Sequence, residues 1–421
     1  MRPPKRTAVT TATALAALVA TVTWSCNGVN PGDRLDAGPE SGLEASIPDV
    51  VVPDVTVPDA RVDSAWCGQN PFPGVDPNAL ELIPVPPTPM CLSFSRDGSY
   101  VAYSRADPDQ PGPWWDYEVY LFDLDTRQEV QITYQPDSWQ GLPAVHGEHI
   151  VHNDGRFMET PGDDSGIELM LYDIANSQET RLTNSPDGKS FPQMNDDYVV
   201  YKFYLVDSGA GALRLLERST GISAELSPSD RAAEGFSISE RYVTWVAIAP
   251  GVPVWNKDVH IHDLQTGETL RLETTAESLA YETSVSGSRV VWMDDRNGNW
   301  DIYMYDIEAG QELRLTDDPL DQIGPRIHGN LVTFADYRFS GGWWDNYQCA
   351  YDIYILDVDT MIGRRVTNWP WYWGGIPGDD GLVVAILRDQ NTLDAPSKLY
   401  VFDLIEMGIL DATGHHVLPE P

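Results

Sequence analysis

A short segment that recurs seven times along the chain constrains its fold more than any other feature. The clearest copy is 301–306, DIYMYD, an apolar run bounded by two acids. The seven closing acids lie 43 to 51 residues apart, at Asp123, Asp173, Glu217, Asp263, Asp306, Asp357 and Asp403. Apolar runs this short, with many β-branched and aromatic residues, are typical of strands. A period of roughly 40–50 residues is typical of propeller blades.

Each repeat divides into four strands, which we call A to D. Strand A ends in a Gly-containing turn such as 286–288, and strand B is a run such as 290–292. Strand C is the recurring hexamer, and strand D is expected to end in a Leu-Thr pair such as 315–316. The pattern predicts an all-β chain with a single seven-bladed β-propeller of four-stranded antiparallel blades over 89–421. Residues 66–88 are expected to form an N-terminal extension that packs on it.

The repeat resembles a known family. Residues 94–103, FSRDGSYVAY, the hexamers and the terminal Leu-Thr pairs are similar to the TolB-like β-propeller repeat over about 89–413. The resemblance implies the propeller fold. It implies no single function, because this repeat occurs in Tol-system proteins, surface proteins, peptidase accessory domains and some lyases.

The first 25 residues are interpreted as a lipoprotein-type signal peptide. A basic cap precedes an apolar stretch, 8–22, that is too short to span a bilayer. Residues 23–26, TWSC, resemble the lipobox of bacterial lipoproteins, in which the cysteine is acylated. Cys26 is therefore a candidate for lipidation, and ordinary cleavage that leaves a soluble protein is the alternative.

Residues 26–65 are expected to form a disordered tether. The segment 48–59, PDVVVPDVTVPD, combines regularly spaced prolines, which fix φ, with acids that repel one another. A signal peptide, a cysteine and such a tract predict an exported lipoprotein anchored in the cell envelope, on the periplasmic or surface side of the outer membrane. Its contact with the membrane would be through the lipid anchor alone.

The charge of the chain limits its partners. The formal net charge is −37, so phosphate backbones are repelled and nucleic-acid binding is not expected. An acidic surface favours solubility, and the chain is expected to be a monomer.

The chain has four cysteines, of which Cys67 and Cys91 flank the entry to the propeller. An exported compartment permits a disulfide between these two, which would leave Cys349 as a free thiol. Because no Cys-x-x-Cys motif or Cys/His cluster occurs, neither a zinc site nor any other metal or cofactor is expected.

No catalytic constellation is recognised. His152, His260 and His262 occupy strand positions, where histidine more often packs than binds a ligand. Residues 294–298, DDRNG, are interpreted as a B–C turn with local Asx hydrogen bonds rather than a calcium loop, whose ligand spacing they do not match. Residues 187–190, DGKS, lack the upstream glycine of a phosphate-binding loop.

Tryptophan is concentrated in one set of connections. In a ring of four-stranded antiparallel blades, the B–C and D–A connections emerge on the same face, and most of the 14 tryptophans fall there. Exposed aromatic rings beside acids suit a saccharide or a peptide, because the rings stack and the carboxylates accept hydrogen bonds. Packing of long loops is the alternative. The candidates for a ligand face are Trp114, Trp115, Asp116, Trp139, Trp343, Trp344, Asp345, Trp369, Trp371, Tyr372 and Trp373.

Two functional hypotheses follow. The first is a non-catalytic cell-envelope lipoprotein that acts as a scaffold and binds an envelope protein or a saccharide. The second is a polysaccharide-active enzyme, lyase-like, which would need a metal or a convergent acid–base set at the mouth of the propeller.

Overall fold

The computed structural model describes residues 79–83, 94–106, 117–135, 138–158, 166–204, 211–227, 233–248, 257–273, 278–338, 352–367, 372–378, 380–388 and 397–411. These residues form strands and turns. No helix of a length and apolarity that could cross a membrane occurs among them.

The described part of the chain contains 28 strands. The first half comprises β1 (Ala79–Ile83), β2 (Phe94–Asp97), β3 (Tyr100–Ala106), β4 (Tyr117–Asp123), β5 (Gln128–Gln131), β6 (Gln140–His146), β7 (His149–Asp154), β8 (Glu168–Asp173), β9 (Gln178–Arg181), β10 (Gly188–Met194), β11 (Tyr198–Tyr204), β12 (Gly211–Glu217), β13 (Ser223–Glu225) and β14 (Ala233–Ile238). The second half comprises β15 (Tyr242–Ile248), β16 (Lys257–Asp263), β17 (Thr269–Leu272), β18 (Ala280–Ser286), β19 (Arg289–Asp294), β20 (Asp301–Asp306), β21 (Gln311–Arg314), β22 (Gln322–His328), β23 (Leu331–Asp336), β24 (Asp352–Asp357), β25 (Ile362–Arg365), β26 (Tyr372–Pro377), β27 (Leu382–Arg388) and β28 (Ser397–Asp403).

The strands form seven four-stranded antiparallel sheets, which confirms the prediction of a seven-bladed β-propeller. Strands β2–β5 form blade 1, and each following group of four forms the next blade up to β22–β25 in blade 6. Each of the seven hexamers lies within a C strand. We call the side with the B–C and D–A connections the loop face, and the side with the A–B and C–D turns the turn face.

Blade 7 is completed by the beginning of the described chain. Its order is β26, β27, β28 and β1, and Ala79 of β1 pairs with Phe402 of β28. Strand β1 lies within residues 66–88, which the sequence indicated as an extension packing on the propeller. In the structure it is the outer strand of the last sheet.

Every seam between neighbouring blades contains a hydrogen bond that involves a side chain. These bonds reach across the inner part of the sheets and link the blades into a ring. The donor and acceptor pairs are Val145 N to Ser95 Oγ, Asn153 Nδ2 to Lys189 O, Gln193 Nε2 to Phe236 O, Val285 N to Ser237 Oγ, Ile327 N to Ser284 Oγ, Thr333 Oγ1 to Gly375 O, and Arg96 Nη1 to Leu382 O.

The core lies between the blades. Its clusters combine buried residues of two adjacent sheets, as when Val246 and Val259 of blade 4 pack with Val290 and Trp292 of blade 5. Trp292 is fully buried and stacks on Tyr303, with ring centroids 6.0 Å apart. This packing explains why strands B and C are apolar on both faces.

In five of the seven blades, a threonine or serine after strand D bonds back to strand C. Thr316 Oγ1 accepts the backbone N–H of Ile302 at 2.8 Å and contacts the buried Asp301 carboxylate. Equivalent bonds link Thr133 to Val119, Thr183 to Leu169, Ser227 to Leu213, and Thr367 to Ile353. Strand β21 ends at Arg314, so the Leu-Thr pair that was predicted to end strand D lies just beyond it. The hydrogen bond to strand C therefore explains why threonine recurs at this position, since the residue takes no part in the pairing of the sheet.

In five of the seven hexamers, the closing acid accepts two backbone N–H groups of the following turn. Asp306 Oδ1 accepts the backbone N–H groups of Glu308 and Ala309, both at 3.0 Å. Asp123, Asp263, Asp357 and Asp403 make the same pair of bonds. Aspartate recurs here because its short carboxylate reaches the N–H groups two and three residues ahead.

The inner strands carry a recurring bulge. The pairing of strand A with strand B shifts register in blades 2 to 7. Left-handed residues lie within the shift in blades 2 to 6, at Leu142, Phe191, Gly235, Glu282 and Gly324, with φ between 50° and 65°. A bulge increases the local twist and re-aims side chains, which suits strands that surround a central axis.

Candidate functional site

Most of the predicted ligand face lies outside the described residues. This holds for Trp114, Trp115, Asp116, Trp343, Trp344, Asp345, Trp369 and Trp371. Cys26 and the candidate disulfide partners Cys67 and Cys91 also lie outside them. Tyr372 and Trp373 were assigned to a D–A loop, but the structure places their backbone in β26, opposite Leu387 and Ile386. The cluster of aromatic residues and proline at 369–373 concealed the start of this inner strand.

Trp139 lies on the loop face, in the D–A connection immediately before β6. Its side chain is half-buried, and a Cβ atom at Gly141 would lie 3.0 Å from its indole ring. Its carbonyl oxygen accepts the backbone N–H of Gly155 at 2.7 Å. Trp139 is thus held, half-buried, against the loop-face end of blade 2.

Tyr134, in the same connection, was missed by the sequence analysis. It is 66% exposed, the most exposed aromatic residue among those that the structure describes. It directly follows the threonine of blade 1, at a position where blades 2 and 5 have Asn184 and Asp317. This departure from the repeat is the signal that could have identified it.

A second aromatic group lies on the loop face between blades 4 and 5. Trp300, at the end of the B–C connection, meets Tyr281 of β18 edge to face, with centroids 5.7 Å apart. The ammonium of Lys257 lies 3.6 Å from the centre of the Tyr281 ring and 2.5 Å from a Glu234 carboxylate oxygen. Desolvation lowers the pKa of Lys257 and raises that of Tyr281. Lys257 is therefore engaged by an ion pair and a cation–π contact.

The carboxylates at the loop-face ends of the B strands are held by arginine. Asp294 Oδ1 accepts the Arg296 backbone N–H at 2.9 Å, and the Arg296 guanidinium binds both Asp294 and Glu312. This confirms that 294–298 form a B–C turn with an Asx hydrogen bond. The same Asp-x-Arg clamp occurs in blade 2 with Asp154 and Arg156, and in blade 6 with Asp336 and Arg338.

The acids that begin the C strands are buried beside these clamps. Asp301 pairs across the sheet with Asp294, and Asp352 with Asp336. Burial raises the pKa of Asp301 to about 6 and that of Asp352 to about 7, although Arg314 and Arg365 bind these carboxylates. Such values suit a general acid, but the same set of acid, arginine and threonine recurs in several blades, and its acids are buried. Their recurrence identifies them as part of the fold.

The histidines and the lysine singled out by the sequence are also engaged in packing. His152 is fully buried between Asn153 O and the Glu179 carboxylate, and His260 stacks on Trp245 with centroids 5.2 Å apart. The Lys189 ammonium donates to the carbonyl oxygens of residues 167, 185 and 187. Nothing in this arrangement resembles a phosphate-binding loop. Among the described residues of the loop face, no group of three or more histidine or acidic side chains is close enough to bind one metal ion.

The comparisons with known proteins agree with the propeller fold. No family model and no curated protein matches the chain. Among solved structures, the chain is similar to an oligogalacturonate lyase from Vibrio parahaemolyticus, with a TM-score of 0.56, 12% identity, and coverage of 79% of this chain and 96% of that one. It is also similar to the β-propeller domain of the Trilobed protease from Pyrococcus furiosus, with a TM-score of 0.52, 13% identity, and coverage of 74% and 95%.

TolB from Acinetobacter baumannii also matches, with a TM-score of 0.41, 16% identity, and coverage of 74% of this chain and 78% of that chain. At these identities the similarity concerns the fold. The propeller of the Trilobed protease has an open velcro topology, whereas β1 pairs with β28 in the chain described here. The fold and site together define this chain as a seven-bladed β-propeller. Because lyases and proteases are among the proteins with similar propellers, the fold alone is compatible with a binding scaffold or an enzyme.

Proposed function

We propose that this chain is a non-catalytic, exported propeller of the cell envelope, tethered through Cys26, whose loop face binds a saccharide. The observation that supports this most is a contrast on the loop face. Its buried carboxylates follow the repeat and are held by arginine, whereas Tyr134 and Trp139 depart from the repeat. Residues that recur from blade to blade maintain the fold, so those that do not are available for a ligand.

The charge of the chain narrows the class of saccharide. With a formal net charge of −37, the protein repels polyanions. An oligogalacturonate, the substrate in the name of the similar lyase, is therefore an unfavourable ligand. A neutral or amino-sugar polymer fits better, because carboxylates accept hydrogen bonds from hydroxyl and ammonium groups while aromatic faces stack on the sugar rings. A basic protein segment offers similar chemistry and is the other outcome that the test must distinguish.

A binding screen tests this proposal. The full chain is titrated by calorimetry with neutral, amino-sugar and uronate oligosaccharides and with lysine-rich peptides. We expect binding to the neutral or amino-sugar set, and we expect Trp115→Ala, Trp344→Ala and Trp371→Ala to abolish it without changing the circular dichroism spectrum. If only the peptides bind, the ligand of the loop face is a basic protein segment and not a saccharide. Binding of uronates alone would contradict the electrostatic argument.

An activity assay separates this proposal from the enzymatic alternative. Each saccharide that binds is incubated with the chain, with and without added divalent ions, and the products are analysed by mass spectrometry. We expect the saccharide to remain intact, since the buried acids of the loop face are held by arginine. Cleavage that is lost in a loop-face variant would establish an enzyme.

A further inference from the structure

Four side chains from four consecutive blades meet on the turn face. Asp97 ends β2 of blade 1 and His146 ends β6 of blade 2. Asp196 and Glu240 lie in the A–B turns of blades 3 and 4. Because strand A is the innermost strand of each blade, its A–B turn lies beside the central axis. The ring therefore brings together residues that are far apart in the sequence.

The distances suit metal ligation better than direct hydrogen bonding. His146 Nε2 lies 3.5 Å from Asp196 Oδ1 and 3.7 Å from Glu240 Oε1. One ligand atom from each of the three residues lies within 4.8 Å of the other two. Atoms held about 2.1 Å from a tetrahedral ion are separated by about 3.4 Å, close to the spacing found here.

The opposite side of the histidine is supported by a carboxylate. His146 Nδ1 lies 3.4 Å from Asp97 Oδ2, and the same oxygen accepts the backbone N–H of Gly147 at 2.7 Å. A carboxylate on Nδ1 favours the tautomer that leaves the Nε2 lone pair for an ion. Metal-binding histidines commonly have such a partner.

The repeat does not account for the two acids. At the equivalent turn position, blades 1, 2, 5 and 6 have Gly98, Gly147, Gly287 and Gly329. Asn195 Oδ1 accepts the backbone N–H groups of Asp197 and Tyr198, and Arg218 donates to the Asp196 carbonyl oxygen, so this turn is fixed without the Asp196 side chain. The Asp196 and Glu240 side chains are 80% and 72% exposed, whereas His146 is 21% exposed. Both carboxylates are accessible, and that of Asp196 is not needed for its turn.

We propose that His146, Asp196 and Glu240 bind a divalent transition-metal ion of the zinc class at the turn-face mouth of the propeller, with Asp97 orienting the histidine. An imidazole nitrogen with two carboxylate oxygens suits such an ion, whereas calcium prefers ligands that are all oxygen. Water completes the coordination at this open position. The ion lies on the opposite face from the proposed saccharide surface, so the two sites are independent.

Calorimetry with zinc alone tests the site. We expect the full chain to bind one ion, and we expect His146→Ala and the double variant Asp196→Asn/Glu240→Gln to lose that binding. Asp97→Asn should weaken it by about tenfold or more, as is typical when the partner of a metal-binding histidine is removed. The control His262→Ala changes a histidine in β16 whose Nδ1 lies 2.9 Å from Thr269 Oγ1 rather than beside the proposed ligands, and this variant should bind zinc as the unmodified chain does.

Two further measurements make the result decisive. The double variant changes only exposed turn carboxylates, so it should keep its melting temperature and show that lost binding is not misfolding. Anomalous diffraction at the zinc edge should place the ion next to His146 Nε2. The proposal is overturned if the folded chain binds no zinc, or if binding survives in His146→Ala and disappears after alkylation of the cysteines.

Discussion

Gly235 and Glu282 are the bulge residues of neighbouring inner strands, and their backbones touch. A Cβ atom at Gly235 would lie 2.6 Å from the backbone nitrogen of Glu282 and 2.7 Å from its Cα. Both residues have left-handed backbones, with φ of 50° and 51°. Burial raises the pKa of the Glu282 carboxyl group, which lies 3.8 Å from Arg326 of the next blade. The bulges thus set how closely blades 4, 5 and 6 approach one another.

Gly235→Ala is expected to destabilise the ring strongly, because the new methyl group meets backbone atoms that cannot rotate away. Gly287→Ala is the matched control. Gly287 has a similar φ of 55°, but its Cβ would meet nothing within 4 Å. Gly287→Ala should lower the free energy of unfolding by about 1 kcal/mol through backbone strain alone. Gly235→Ala should lower it by more than twice that amount. If urea denaturation shows the same decrease in the free energy of unfolding for both variants, the contact between the two strands does not contribute to stability.

Removal of β1 tests the closure of the ring. A chain that starts at residue 84 loses the pairing of β1 with β28, whereas one that starts at residue 74 retains it. Each lost backbone hydrogen bond contributes about 1 kcal/mol, and the exposed edge of β28 invites association. We expect the shorter chain to melt at a lower temperature and to self-associate in size-exclusion chromatography. Identical behaviour of the two chains would mean that β1 is dispensable for the ring.

Thr316→Val tests the bond from the end of strand D back to strand C. The substitution preserves the shape of the side chain but leaves the buried N–H of Ile302 without its acceptor. An unsatisfied buried donor costs about 1–3 kcal/mol, which should appear as a lower free energy of unfolding. Thr180→Val in β9, where the side chain is exposed, is the control and should be nearly neutral. If Thr316→Val leaves the free energy of unfolding unchanged, the threonine recurs for its strand propensity and not for this hydrogen bond.

The opposed acids of blade 6 predict a pH dependence. Burial raises the pKa of Asp336 and raises that of Asp352 to about 7, from an ordinary value of 3.8. The folded chain therefore binds these protons more tightly than the unfolded chain does. Their contribution to stability should decline as the pH rises from about 4 to about 7.

Asp336→Asn removes the negative charge that faces Asp352. The free energy of unfolding of this variant, measured by urea denaturation across that pH range, should fall less steeply than that of the unmodified chain. Asp317→Asn, at an exposed acid, should leave the slope unchanged. If the slope of Asp336→Asn equals that of the unmodified chain, the opposed pair does not couple to folding.

The sequence predicted the blades well because their determinants are local. The hexamer around Tyr303 and the turn after Asp306 both lie within one repeat, so period and composition were sufficient. The outer strand of blade 7 was missed because it comes from residues 79–83, more than 300 positions before β28. The bulges at Leu142, Phe191 and Glu282 were missed because these residue types do not favour a left-handed backbone.

The candidate sites depend more strongly on the ring itself. Trp139 could be assigned to the loop face from strand order alone. His146 could not be assigned to a site, since its neighbours Asp97, Asp196 and Glu240 come from three other blades and share no motif. These residues are close together because the blades form a closed ring, and no pattern within a single repeat indicates it.

Affinity at the loop face is the most direct test of the proposed function. Tyr134 lies on the loop face and Ile222 lies in a C–D turn on the turn face, and each is 66% exposed. For the saccharide found in the screen, we predict that Tyr134→Ala weakens calorimetric binding by about tenfold, the loss of one stacking contact of about 1.4 kcal/mol, while Ile222→Ala leaves it unchanged. Unchanged binding in Tyr134→Ala together with a loss in Ile222→Ala would place the ligand on the turn face and contradict the account.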